Sequence, residues 1–410
     1  MEVNNLNIIY FVTRWFEGTA YKNINFMKDN FGGLIIKDNV EHLRKAIQGT
    51  HPDLLVVRGD TRTDYRYAIK YRIPYLLIEN DVNSMRRGKN RENLVFEKHR
   101  MENAAAVIFT SKDHQIYYKK RAEENGWKMP ENIIIHTRPL KKDIDFEPLK
   151  KKAGLNLVYA GGIISAWHRR KNHFGYRAYH EIFKSFIKAG WKVHIYSASY
   201  NTGKLSEYKD IGCKVHENLP YNSLLQEMSR YTAGLHSYNQ EGVPEDAYGY
   251  TQVCKGNKIW DYLAAGIPTI GYQGGNGMKI YNKKWGLVIN DLEEKTLKKL
   301  PGRLAKIKIT KRMRTSNVMD RDIKKYEKII NQAIKAGEAK AAIQEEPERY
   351  KNPNNEPFPK LIMVTNKGPR MISRANRIFL AYSTTEPTRV NEREFKEIKA
   401  HVGLKIKHLD

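Results

Sequence analysis

Strand-length apolar runs, separated by stretches of helical spacing, constrain this chain more than any other feature. Residues 7–12, 33–36, 53–57, 74–78 and 105–109 are largely apolar, without the alternation of a one-sided sheet. Strands of that kind are buried on both faces. Residues 40–48 and 65–71, between them, have helical spacing. The alternation predicts a parallel, doubly wound α/β sheet. A second series follows, with strands at 155–159, 191–196, 212–215, 233–236 and 268–271 and helices at 222–231 and 258–265. Two Rossmann-like halves result, 1–150 and 151–344. The second closes on a helix pattern over 318–341 that puts Ile323, Tyr326, Ile329, Ile330 and Ile334 on one side. Residues 345–359, rich in proline and asparagine, read as a linker. Residues 360–410 read as a small basic α+β appendage, with strands at 361–365 and 377–382 and a helix at 392–401.

Several function classes fall away. No apolar run approaches the roughly 20 residues of a membrane span. The opening Met-Glu-Val-Asn-Asn lacks the basic region of a secretory signal, and Cys213 and Cys254 are the only cysteines, so a disulfide framework is excluded and a reducing cytoplasm fits. The 13 histidines form no His-Glu-x-x-His or Cys/His cluster, so no structural metal is expected. A Gly-x-x-x-x-Gly-Lys-Ser/Thr loop is absent, which argues against a P-loop enzyme.

The most specific stretch is Asn257-Lys258-Ile259-Trp260-Asp261-Tyr262-Leu263-Ala264-Ala265-Gly266-Ile267-Pro268. By pattern it is a helix ended by glycine and proline ahead of a buried strand, with its N-terminus toward a crevice where phosphate is welcome. It resembles the NKxxEYLAAGxP signature of sugar-nucleotide glycosyltransferases with the GT-B fold. The resemblance implies two Rossmann-like domains whose parallel sheets face a cleft, with a nucleoside diphosphate sugar on 151–344 and the acceptor on 1–150. It gives Asp261 the ribose hydroxyls, and makes Asn257, Lys258, Ser197 and Tyr221 donor contacts. Gly161-Gly162 resembles the family's glycine turn, and Arg170-Lys171 its pair that neutralises the diphosphate. Where the family often places an earlier carboxylate this chain has Val253, which leaves the retaining or inverting outcome open; Glu245 or Asp246 could replace it.

Catalytic candidates come from residues 75–81, a strand running into Glu79-Asn80-Asp81 at a carboxyl edge where α/β sheets bind ligands. Glu79 or Asp81 is the expected general base, with Asp60 and Asp64 next in line; the same residues could cap the following helices. Lys plus Arg total 72 against 45 Asp plus Glu, a formal net charge of +27, which suggests a polyanionic partner. Arg58, Arg62, Arg86, Arg87, Lys89 and Arg91 are the expected phosphate contacts, interleaved with Tyr65, Tyr67 and Tyr71. On that basis the chain is similar to phage DNA glucosyltransferases. The resemblance implies transfer of a hexose, UDP-glucose being the favoured donor, to a hydroxymethylated pyrimidine flipped out of double-stranded DNA in an infected cytoplasm. A protein or anionic cell-wall polymer is the alternative acceptor, and a non-catalytic DNA-binding protein on the same fold is the alternative class. A protein partner docking on 360–410 also stays open.

Overall fold

The computed structural model describes residues 6–12, 19–37, 39–58, 64–86, 91–165, 174–197 and 205–341 in full or as helix backbone, and four strands beyond. The chain forms two compact units, Met1–Ala342 and Ile343–Asp410.

The first unit holds two six-stranded sheets, every described strand pair in them parallel. One contains β1 (Ile8–Val12), β2 (Leu34–Lys37), β3 (Leu54–Arg58), β4 (Tyr75–Glu79), β5 (Ala106–Phe109) and β6 (Glu131–Ile134), in the order β2-β1-β3-β4-β5-β6. The other contains β7 (Asn156–Ala160), β8 (Lys192–Tyr196), β9 (Lys214–His216), β10 (Ala233–Leu235), β11 (Thr269–Tyr272) and β12 (Gly286–Ile289), in the order β12-β11-β10-β7-β8-β9. The second order is that of a dinucleotide-binding sheet, and its strand sequence reverses between β7 and β10, where such sheets bind ligands.

Burial follows the sequence pattern. β1, β3, β4 and β5 are buried throughout, because apolar side chains on both faces need helices on both faces. The helix Ile323–Ala341 packs on the first sheet: Tyr326, Ile329, Ile330 and Ile334 join Ile8, Tyr10, Leu76 and Ile108 in one core. A short 3₁₀ turn, Met319–Asp322, precedes it, so the helix starts later than its sequence pattern.

Contacts between strand ends bring the two sheets' carboxyl edges together. Lys22, in helix Thr19–Phe31, pairs with Asp261 at 3.2 Å; the Tyr250 hydroxyl donates to Asp81 Oδ1 at 2.5 Å; Lys255 Nζ lies 2.9 Å from His136 Nδ1. Among the described residues no helix is long and apolar enough to cross a membrane.

In the second unit a four-stranded sheet is described: β13 (Leu361–Thr365) pairs antiparallel with β14 (Gly368–Ile372) and parallel with β15 (Phe379–Ala381), which pairs antiparallel with β16 (Pro387–Arg389). The helix expected at 392–401 lies outside the described residues.

Candidate functional site

The site is built at the β7/β10 reversal. Helix Lys258–Ala264 is held there by Tyr262, whose hydroxyl donates to Leu235 O at 3.1 Å and accepts from Ala160 N at 3.2 Å. Its ring lies flat on β10 because Gly234 has no side chain: a Cβ there would stand 2.4 Å from the ring. The helix has seven residues and no side-chain cap at its N-terminus. Side chains supply the charge.

β7 is followed by Gly161, whose φ of +149° suits glycine, and by Gly162. A Cβ on Gly161 would come within 2.6 Å of Lys258 Cε and 3.2 Å of its Nζ; one on Gly162 would come within 2.8 Å of Arg177 Nη1. The bare backbone of the glycine turn thus lies against an ammonium and a guanidinium. Neither cation has a side-chain hydrogen bond or ion pair with another described residue; Lys258 rests over Tyr159 at 4.9 Å from the ring centroid, and Arg177 over Tyr176 at 5.5 Å. Nothing in the sequence singles out Arg177. It sits in a 3₁₀ turn, Gly175–Arg177, brought to β7 by folding alone. The expected pair Arg170 and Lys171 lies outside the described residues.

Asp261 stands on the same helix, facing the first sheet. Lys22 Nζ at 3.2 Å and the Tyr221 hydroxyl at 2.5 Å both donate to its Oδ1, and the ammonium lies 3.3 Å above the Tyr221 ring centroid. Asp261 Oδ2 has no partner among the described residues, so one oxygen remains to accept from a ligand. Burial lowers the Lys22 pKa, and the Asp261 charge works against that fall. Asn257 takes the position before the helix, without a capping side-chain bond, and Ser197 is buried directly after β8.

The first sheet revises several expectations. Glu79 is wholly buried and paired with Arg100 at 2.8 Å. Asp81 does face the other sheet, but as an ion-pair partner of Arg86 and an acceptor from Tyr250. Burial alone would raise its carboxyl; the charge of Arg86, the Tyr250 hydroxyl, and the charges of His114 and Arg177 override this and hold it at about 2. Asp60 is outside the described residues, as is the side chain of Asp64.

The basic cluster is also reduced. Arg86 is 8% exposed and committed to Asp81; Arg58 is 5% exposed at the end of β3, with Nη2 and Nε donating to the Asn80 amide oxygen at 2.9 and 3.1 Å. Both are buried near the strand ends. Arg62, Arg87 and Lys89 lie outside the described residues, and Arg91 opens helix Arg91–Asn103 with its side chain undescribed. At Val253 the chain packs an apolar side chain against a second core of the first sheet, which holds Leu77, Val107 and Tyr118. Glu245 is exposed and Asp246 half-buried, in the first turn of helix Glu245–Val253.

Two further groups gather where the sheets meet. Lys255 is 3% exposed, its ammonium 4.8 Å from the Trp260 centroid and 4.4 Å from that of Tyr281. Burial first, then the charge of Arg138, lowers its pKa to about 7 against the partial relief of Asp113. His114 is 2% exposed in the first turn of helix Lys112–Asn125. Among the described residues no three of His, Cys, Asp and Glu come together as a metal site.

No protein-family profile matches the sequence, and no curated protein matches it. Solved structures do. Sucrose-phosphate synthase from Thermosynechococcus elongatus is 12% identical, with a TM-score of 0.52 over 82% of this chain and 99% of that one. HepE from Anabaena, solved with UDP-glucose, is 12% identical, with a TM-score of 0.48 over 83% of this chain and 100% of its own. The pneumococcal O-GlcNAc transferase GtfA, solved with UDP and GlcNAc, is 9% identical, with a TM-score of 0.48 over 71% of this chain. The chain spans 60% of that structure's length. The likeness to the synthase establishes the fold: two parallel α/β sheets with facing strand ends, the GT-B architecture.

Proposed function

We propose that the chain is a glycosyltransferase that takes a hexose from a UDP-sugar, UDP-glucose foremost, held on the second sheet. The observation that carries the reading is the convergence of Lys258 and Arg177, neither ion-paired among the described residues, on the bare backbone of Gly161 and Gly162 at a sheet's switch point. A diphosphate needs that combination: close backbone approach and fixed positive charge that neutralises the leaving group as the anomeric C–O bond breaks. Asp261 supplies the second half of a nucleotide site, since its Oδ2 is open to a ribose hydroxyl. Tyr221, Ser197 and Asn257 are the remaining proposed donor contacts, and Arg170 and Lys171 stay proposed from sequence. The signature around Asp261 and the GT-B fold agree with this assignment.

The reading is tested by titrating UDP and UDP-glucose into the protein calorimetrically. Lys258→Ala and Arg177→Ala should each weaken UDP binding by about 10- to 100-fold, as removal of a charge-assisted phosphate hydrogen bond does. Full UDP affinity in both variants would end the assignment.

For the acceptor we propose a hydroxymethylated pyrimidine in DNA. What supports it is the net charge of +27, since Arg58 and Arg86 no longer contribute. A duplex bearing that base should bind with a log K that falls by about 0.9 per neutralised phosphate against log salt. Transfer to a protein or polymer, with no salt-dependent duplex binding, would replace DNA as the acceptor and leave the donor site standing.

A further inference from the structure

Glu79 pairs with Arg100 in the core and Asp81 with Arg86, so both carboxylates expected as the base are held by arginines. We infer that His114 is the group that takes the proton from the attacking hydroxyl. This rests on the glycosyl-transfer reading above.

Three observations converge. His114 is 2% exposed, and neither Nδ1 nor Nε2 has a hydrogen-bond partner among the described residues. Leaving both nitrogens of a buried imidazole unsatisfied is costly, and such orphans in native folds call for a reason in function or in a bound group. The ring also stands at the right edge of the sheet. His114, Tyr118 and Ala122 form the buried stripe of helix Lys112–Asn125, and His114 is its first member, just past the carboxyl end of β5. The Ser111 hydroxyl accepts from His114 N at 3.1 Å and fixes this turn. Finally, charged groups that follow elements of both sheets act on the ring. They are Asp81, after β4, and Lys255, after helix Glu245–Val253. Asp81 in turn feels Arg177, which borders Gly162 in the proposed diphosphate site.

The ring is poised as a neutral acceptor. Burial first lowers its pKa to about 4, Asp81 pulling it up and Lys255 pushing it down. The step balances simply. The acceptor oxygen forms its bond to the anomeric carbon while its proton moves to the lone-pair nitrogen of His114. The bond from the anomeric carbon to the phosphate oxygen breaks, and its electron pair leaves with UDP, against Lys258 and Arg177. Asp81 stabilises the imidazolium until the proton passes to solvent. A base in this role implies one displacement, hence inversion at the anomeric carbon.

The test uses the full chain, UDP-glucose, and water as acceptor. Wild type should bind UDP-glucose and release β-glucose first, seen by proton NMR before mutarotation. His114→Asn should keep UDP-glucose affinity within about threefold and lose about 10²- to 10³-fold in hydrolysis rate. The acid limb of the rate profile, with its inflection near pH 4, should vanish with it. An unchanged rate in His114→Asn overturns the proposal, and so does α-glucose as first product, a readout that needs no variant to fold. If wild type fails to bind UDP-glucose at all, the donor reading falls and takes this inference with it.

Discussion

Asp261→Asn is the most informative single change, because Asp261 is both a structural ion and a proposed ligand contact. The substitution keeps the shape and removes the charge. Its partner Lys22 is 12% exposed and Asp261 itself 21%, so the pair is largely out of solvent at 3.2 Å. Removing one partner of a fully buried pair costs about 3–5 kcal/mol. Here residual solvent and the Tyr221 face, worth about 1–2 kcal/mol to the ammonium, reduce the expected loss to about 2 kcal/mol. Urea unfolding should show this as a lower midpoint at constant slope. Lys22→Met in the same background should restore most of it, with a coupling of about 1–2 kcal/mol in the double-mutant cycle. Calorimetry should show UDP affinity about 10- to 100-fold weaker in Asp261→Asn, and near wild type in Lys22→Met alone. Stability within about 0.5 kcal/mol of wild type, together with unchanged UDP affinity, would refute both roles.

Other perturbations probe separate parts of the molecule. Gly161→Ala places a Cβ 2.6 Å from Lys258 Cε at a φ of +149°, so it should displace the ammonium and cost more in UDP affinity than in melting temperature. Lys255 keeps a proton in the unfolded chain up to its ordinary 10.5 but loses it near 7 when folded. The unfolded state therefore binds more protons between those values, and wild-type stability should rise with pH there by up to about 1.4 kcal/mol per unit. Lys255→Met should abolish that rise, measured by urea unfolding at neutral and alkaline pH. Replacing Arg87, Lys89 and Arg91 together should flatten the salt dependence of duplex binding by about 0.9 for each phosphate they neutralise, whereas replacing Arg86 should lower stability instead, because it is paired with Asp81.

The architecture was legible because buried parallel strands advertise themselves as unbroken apolar runs. In the two parallel sheets the strands that were not legible are β6, Glu131–Ile134, and β12, Gly286–Ile289. Both lie at sheet edges and are part-exposed, so neither needs apolar residues on both faces. Of the proposed contacts, Gly161, Lys258 and Asp261 were named from the sequence because a turn and a helix signature are local. Arg177, Lys22 and His114 were not, since each comes to its place only through tertiary packing. Glu79 and Asp81 show the limit of strand-end reasoning. A carboxylate at a carboxyl edge can point into the core toward Arg100 or across to Arg86, and the sequence carries no sign of which. Arg58 and Arg86 teach the same about charge: in the sequence an arginine in a basic stretch counts toward a partner, while the fold uses it as an internal tie.

A nucleotide-sugar site at the β7/β10 reversal is tested most directly by UDP binding. Titration of UDP into wild type and into Lys258→Ala/Arg177→Ala should show one site per chain, with affinity in the micromolar range. That affinity should fall by about 100-fold or more in the double variant while the melting temperature holds. No heat of binding up to millimolar UDP, or equal affinity in the two proteins, would contradict it.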